Sequence, residues 1–92
     1  MSDIDSTTKP TIGKGYRLQW EPAQNAHVLL YPEGMIRLNV SAGEILKRCD
    51  GERTLGDIVS DLERTFETCG IEDDITAFIA MAVTNKWLEL HA

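Results

Sequence analysis

The spacing of apolar residues changes once along this chain, and this change limits the fold more than any other feature. Before Ser41 the apolar residues alternate, as in Tyr16-Leu18-Trp20 and Ile36-Leu38-Val40, which is the spacing of half-buried strands. After that point they recur at i, i+3, i+4 and i+7, which is the spacing of amphipathic helices. Strands followed by helices within 92 residues predict one small α+β domain.

Three strands are predicted, joined as a meander. The first begins at Tyr16, and the segment 22–25 (PAQN) separates it from the second, over 26–31. In the next turn, Tyr31-Pro32-Glu33-Gly34-Met35, Pro and Gly suit a type I turn with a G1 bulge, so Tyr31 is expected opposite Met35. That register places five apolar residues on one face: Val28, Leu30, Ile36, Leu38 and Val40.

Three helices are predicted after the strands. Ser41 and Glu44 form a capping box for the first, which should end at Asp50-Gly51, and Thr54 with Asp57 caps the second. The apolar stripe of the second helix comprises Leu55, Ile58, Val59, Leu62 and Phe66. The third helix begins at Ile71 or Glu72, and its apolar arc is wider than one packing face requires. The segment 87–90 is expected to be a short strand or tail, and a winged-helix-like arrangement fits this order best.

Residues 1–15 are expected to form a flexible arm, which leaves 16–92 as the domain. Polar residues and glycines dominate the arm, and its isolated apolar residues bury too little surface to offset the entropy of ordering. Removing residues 1–9 should therefore change the free energy of unfolding by less than about 1 kcal/mol.

The charge balance argues against nucleic acid and membrane surfaces as partners. Nine Lys and Arg against fifteen Asp and Glu give a net charge of −6, which repels phosphate backbones and anionic lipids. No apolar run approaches the ~20 residues that a bilayer span needs, and the N-terminus is acidic where a signal peptide would be basic. We expect a soluble cytoplasmic protein.

The sequence offers little for catalysis. His27 lies on a predicted strand and His91 is next to last, while Cys49 and Cys69 complete apolar helical stripes and are expected to be buried. Phosphate-binding, dinucleotide-binding and zinc-protease motifs are absent. We therefore predict that the chain is not an enzyme and has no catalytic residues, no metal and no cofactor.

The class of function that remains is binding of a protein or a peptide. The third strand, over 35–39, is the last of the meander and is expected to have a free edge, and the third helix has unused apolar surface. A winged-helix DNA-binding regulator is the first alternative, although Glu72-Asp73-Asp74 opens the helix that would enter the groove. A general protein-interaction adaptor is the second.

Three stretches of the sequence resemble a known family. They are YRLQWEPAQ at 16–24, HVLLYPEGMIRLN at 27–39, and Asp50-Gly51. Together they are similar to the PqqD family of pyrroloquinoline quinone (PQQ) biosynthesis proteins, from about residue 15 to residue 90. The resemblance implies a winged-helix-like domain with a three-stranded antiparallel sheet followed by a three-helix bundle.

The resemblance also implies a function, partners and a site. It implies a peptide chaperone, or RiPP recognition element, that binds the leader of the precursor peptide PqqA. It would present that peptide to the radical SAM enzyme PqqE for Glu-Tyr crosslinking, as a monomer or weak dimer. The implied peptide-binding residues are Met35, Ile36, Arg37, Leu38 and Asn39 on the strand, and Ile75, Phe78, Ile79 and Ala82 on the third helix. Core packing stays open as an alternative for Ile36, Leu38, Ile75 and Ile79, and a solvated surface for Arg37.

Overall fold

Five strands and three helices follow one another in the computed structural model, which describes residues 4–91. A first strand precedes a three-strand meander, three helices come next, and a short strand closes the chain. The elements are β1 (Lys9–Ile12), β2 (Arg17–Glu21), β3 (Ala26–Tyr31), β4 (Gly34–Arg37), α1 (Val40–Lys47), α2 (Leu55–Thr65), α3 (Glu72–Thr84) and β5 (Leu88–His91). The predicted α+β class, with a three-stranded antiparallel sheet followed by three helices, is confirmed, and the structure adds β1 and β5 as a separate pair.

The register of the meander differs from the prediction by one residue. The strands lie in the order β2-β3-β4, and Tyr31 pairs with Gly34 instead of Met35. The turn therefore contains only two residues, and Gly34 belongs to the strand instead of forming a bulge. Because side chains alternate along a strand, this one-residue shift in register changes which side chains of β3 and β4 share a face of the sheet. Leu29 and Ile36 are paired and face the helices, whereas Val28 and Leu30 face away.

Residues 8–12 belong to the domain, so the prediction of a flexible arm is wrong for them. β1 pairs antiparallel with β5, with Pro10 opposite Leu90, and both Thr8 and Pro10 are buried. Backbone pairing with the distant C-terminal strand orders this segment although it has few apolar side chains. The part of the expected arm at residues 1–3 lies outside the described residues.

The three helices are confirmed, but their ends differ in detail. The carboxamide of Asn39, not the Ser41 hydroxyl, caps α1 by accepting from the Ala42 N–H at 2.8 Å. Val40 is consequently the first residue of α1 and is exposed. The capping box of Thr54 and Asp57 on α2 is confirmed. α1 ends at Lys47, before Gly51, whose φ of 81° lies in the left-handed region.

The core lies between the inner face of the meander and the three helices. Its buried members are Leu29, Leu38, Ala42, Ile45, Leu46, Cys49, Leu55, Ile58, Val59, Leu62, Ile75, Ile79, Ala82 and Leu88. Burial raises the pKa of the Cys49 thiol to about 12, so this group is protonated and inert at neutral pH. Cys69 and Phe66 are exposed, because α2 ends at Thr65, before the end of the apolar stripe that was predicted for this helix. Among residues 4–91, no helix is long and apolar enough to cross a bilayer.

One buried arginine joins α1 to α2. Arg48 is only 8% exposed, and its guanidinium donates to Asp61 at 2.5 Å and to Glu44 at 2.7 Å. It also donates to the Glu44 carbonyl at 2.9 Å and to the Thr65 hydroxyl at 3.3 Å. The Glu44 carboxylate therefore holds Arg48, which joins the two helices. It does not form a capping box with Ser41.

Replacing this arginine should reduce stability in a pH-dependent way. Hydrogen bonds from Arg48 lower the pKa of both Glu44 and Asp61 below their ordinary values. A carboxyl with a lowered folded-state pKa contributes stability above its unfolded pKa, and this contribution is lost as pH falls through the folded value. We expect Arg48→Met to lower the free energy of unfolding by about 1 to 2 kcal/mol at neutral pH, because the carboxylates remain close to water.

Urea unfolding at about pH 7 and about pH 3 measures this effect, and the difference between Arg48→Met and the parent should shrink at the lower pH. The control is Lys47→Met, since the ammonium of Lys47 lies 3.9 Å from Glu44 at the surface and should matter little at either pH. A difference that is equal at both pH values would contradict the ionic contribution.

Candidate peptide-binding groove

β4 is an edge strand of the meander. In the described part of the chain it pairs with β3 on one side and with no strand on the other. An unpaired edge presents N–H and C=O groups that can hydrogen bond to an added strand. The free edge expected from the sequence is therefore present, although the strand ends at Arg37 and does not extend to Asn39.

The pairing register shows which β4 amides face outward. The Leu38 N–H donates to the His27 carbonyl at 3.0 Å, so His27 and Leu38 belong to a hydrogen-bonded pair. In an antiparallel ladder such pairs alternate with non-bonded ones. The same register makes Leu29 with Ile36 a bonded pair, and leaves Met35 and Arg37 in the non-bonded pairs. The N–H and C=O groups of Met35 and Arg37 therefore point to the free edge.

An apolar groove of about 390 Å³ opens between the start of α1, the end of α2 and the first half of α3. Residues from all three helices and the α2–α3 connection line it: Asn39, Ser41, Ala42, Ile45, Leu62, Phe66, Thr68, Ile71, Asp74, Ile75 and Phe78. Asn39 lies two residues beyond β4, so the strand edge ends beside this groove.

The groove has an apolar floor and a polar rim. Ile45, Leu62 and Ile75 are buried and form the floor, while the Phe66 side chain at the end of α2 is 46% exposed. Asp74 and Ser41 are exposed at the rim. Such a cavity can accept apolar side chains from a peptide whose backbone remains partly hydrated.

The nine residues predicted for the site lie in three different environments. Met35 and Arg37 are exposed on β4, and Asn39, Ile75 and Phe78 line the groove. Ile36 is half-buried and faces the core, whereas Leu38, Ile79 and Ala82 are buried in it. These last three do not line the groove. The structure thus brings five of the nine to surfaces a peptide could contact.

Sequence reasoning missed most of the groove lining. Phe66 was assigned only to a helical stripe and Ile71 only to a helix boundary, and Ala42 and Ile45 were not expected in the site. A signal was present at Phe66, because the two polar residues Glu67 and Thr68 and the Cys69-Gly70 pair follow it and end the helix. The contribution of α1 depends on how the helices pack, which the spacing of apolar residues does not specify.

The described residues do not assemble a metal centre. Over 4–91, no group of three His, Cys, Asp or Glu side chains is placed to hold a metal ion. His27 contacts the indole of Trp20 edge to face, with ring centroids 5.0 Å apart, and neither described cysteine lies in a disulfide. The geometry defines a recognition domain in which a free strand edge adjoins an apolar helical groove.

Comparisons with known proteins place this domain in a family. The family model described as "Coenzyme PQQ synthesis protein D (PqqD)" matches residues 26–88. The chain is 55% identical to the PqqA binding protein of Stutzerimonas stutzeri, covering 99% of this chain and 100% of that one. It is 54% identical to the protein of the same name from Pseudomonas aeruginosa PAO1, over 99% and 98% of the two chains. The chain belongs to the PqqD family.

Two solved structures are similar to this fold. The PqqD truncation of Methylobacterium extorquens PqqCD, described as a stand-alone RiPP recognition element, matches with a TM-score of 0.75 and 31% identity over 94% of each chain. The heterocyclase TruD matches with a TM-score of 0.68 and 24% identity, over 92% of this chain and 12% of that one, which supports the fold alone. The relatives are named as binding proteins and not as catalysts, which agrees with the prediction that the chain is not an enzyme.

Proposed function

We propose that this chain binds the leader of the precursor peptide PqqA and presents it to the radical SAM enzyme PqqE for crosslinking of a Glu and a Tyr. The observation that carries the proposal is the free edge of β4 ending beside the apolar groove. The names of the relatives support the identity of the peptide, since those proteins are called PqqA binding proteins. We place this function in the cytoplasm.

In this proposal the leader adds as a fourth strand of the meander. Its backbone pairs with the outward N–H and C=O groups of Met35 and Arg37, which gives affinity independent of side-chain identity. Specificity comes from the apolar side chains that the leader inserts between Phe66, Ile71 and Phe78. The chain itself performs no chemistry and holds the peptide so that its core remains free for the enzyme.

The charges of α3 argue against DNA binding. The first turn of α3 contains Glu72, Asp73 and Asp74, and its last turn contains no basic residue. This acidic helix, in a chain whose net charge is −6, would be repelled by a phosphate backbone. The test is a titration of isotope-labelled protein with a synthetic PqqA leader, followed by amide chemical shifts. We expect the largest changes at 35–37 and 66–78, whereas an unrelated adaptor would show none.

The salt dependence of leader binding should be weak. Ladder hydrogen bonds and apolar burial dominate the proposed contact, so few counterions are released. We expect the dissociation constant, measured by calorimetry, to rise by less than about tenfold between about 0.05 and 1 M NaCl. A thousandfold rise would instead indicate an electrostatic mechanism.

Phe66→Ala should weaken leader binding while leaving the fold nearly intact. Phe66 is 46% exposed and lines the groove, so removal of its ring costs little core packing but deletes a wall of the site. We expect a loss of affinity of about tenfold, measured by calorimetry, with a melting temperature close to that of the parent. The matched control is Met81→Ala, since Met81 is 39% exposed on α3 but does not line the groove. Equal affinities of both variants would contradict the assignment of the groove.

A further inference from the structure

The connection between α2 and α3, residues 66–71, supplies one wall of the groove. Three of its residues line the groove: Phe66, Thr68 and Ile71. All residues of the connection except Ile71 are exposed, so apolar burial contributes little to holding it in place. Glu67 and Gly70 have positive φ values of 52° and 75°, and this left-handed region is unfavourable for a glutamate. Hydrogen bonds are therefore needed to fix the shape of this wall.

Glu63, near the end of α2, accepts several of these hydrogen bonds. Its backbone carbonyl accepts from the Thr68 N–H at 2.9 Å, which is the bond that closes a Schellman motif at a helix C-terminus. Its carboxylate reaches further along the chain. It accepts from the Gly70 N–H at 2.9 Å and, more weakly, from the Ile71 N–H at 3.5 Å. One residue thus binds the connection in its middle and at its end.

The Glu63 carboxylate has no competing partner. Among residues 4–91, no other side chain hydrogen bonds to the backbone of the connection, and Ile71 provides no side-chain cap for α3. In the same part of the chain Glu63 forms no ion pair, and it does not line the groove. A carboxylate that accepts from backbone N–H groups forms a stronger bond than a neutral acceptor does. Glu63 is therefore the side chain that ties the start of α3 to α2.

We propose that Glu63 is a positioning residue of the groove. Its carboxylate fixes the α2–α3 connection before the peptide arrives, so that Phe66 and Ile71 already lie where an apolar side chain of the leader packs. Binding then does not have to order the connection, and the cost of that ordering does not reduce the affinity. The inference rests on the proposed function, and it concerns a residue that does not itself contact the peptide.

Replacement of Glu63 by alanine and by glutamine tests this role. Glu63→Ala removes the acceptor, and we expect it to weaken binding of a synthetic PqqA leader by about five- to tenfold in calorimetric titrations. Glu63→Gln keeps an oxygen that can accept from the same N–H groups, so it should restore most of the lost affinity. If the glutamine variant binds as weakly as the alanine variant, the charge matters and not the acceptor, and the inference is wrong.

The matched control is Glu72→Ala. Glu72 is exposed in the first turn of α3, does not line the groove, and makes no side-chain hydrogen bond within the described chain. This variant changes the charge by the same amount close to the same connection. It should therefore bind the leader as the parent does, and a loss equal to that of Glu63→Ala would contradict the positioning role.

A double-mutant cycle with Phe66→Ala shows whether Glu63 acts through the wall of the groove. If Glu63 positions the Phe66 ring, the loss caused by Glu63→Ala should fall to about twofold once that ring is absent. Equal losses with and without the ring would mean that the two residues act independently, and would overturn the inference.

Amide hydrogen exchange of the protein without peptide provides an independent measurement. In Glu63→Ala we expect the Gly70 and Ile71 N–H groups to exchange about tenfold faster than in the parent, with little change at Leu62 in the core. Loss of cooperative unfolding in this variant would show that Glu63 supports the whole fold, and would overturn its assignment to the groove. Parent-like leader binding by Glu63→Ala would overturn only this inference. A leader that fails to bind the unmodified protein would instead overturn the proposed function itself.

Discussion

Met35→Pro should lose most leader binding and still unfold cooperatively. The Met35 N–H points to the free edge of β4, so a proline at this position removes a donor that the leader needs but no bond of the ladder with β3. The unpaired leader carbonyl costs about 1 to 3 kcal/mol, which corresponds to a weakening of about 5- to 150-fold in calorimetric titrations. Arg37→Pro should act in the same way, because its amide also faces outward.

Two controls separate the backbone effect from other causes. Met35→Ala removes the exposed side chain but keeps the donor, so it should bind the leader nearly as well as the parent. Ile36→Pro removes an amide that donates to β3, and its melting temperature should fall markedly. If Met35→Pro and Arg37→Pro are both well folded and bind the leader like the parent, strand addition at this edge is wrong.

Deletion of residues 1–8 should destabilise the fold by about 2 to 4 kcal/mol, contrary to the expectation for a flexible arm. The carbonyls of Thr8 and Ser6 accept hydrogen bonds from the Leu55 and Gly56 N–H groups at 2.7 and 3.0 Å. These are the first two amides of α2, which a helix cannot pair internally. Ile4 also packs against the core, so its burial is lost in the deletion.

Thermal melts measure this prediction, and a drop of about 10 to 25 °C is expected for a domain of this size. The control is a chain that begins at Ile4, which keeps every contact described for the N-terminal segment. If deletion of 1–8 lowers the melting temperature no more than deletion of 1–3, the N-terminal segment does not support α2 and the original expectation stands.

Local chemistry was sufficient to predict the strands of the meander and the three helices, although not β1. The alternation through β2 and β4, the apolar stripes of α2 and α3, and the Thr54 cap depend on neighbours within a few residues. The edge position of β4 followed from its place as the last strand of a meander. The resemblance to the PqqD family was also readable, because the motifs that carry it are short runs of neighbouring residues, the longest of them at 27–39.

The turn shows where local reasoning fails. Pro32, Glu33 and Gly34 suit either a two-residue or a three-residue loop, and the two differ by one residue of register. Packing decides between them, because only the observed register places both Leu29 and Leu38 in the core. The same slip determines whether Met35 and Arg37 or their neighbours present amides to the free edge.

The sequence by itself determined the class of the fold, the order of the meander strands and the three helices, and the family to which the chain belongs. Only the tertiary structure decided that β1 pairs with β5, that Ile79 and Ala82 are buried, and that Phe66 and Ile71 line the groove. The physical reason is distance along the chain. Periodicity and capping act over a few residues, whereas the pairing of Pro10 with Leu90 and the meeting of three helices depend on how the whole chain packs.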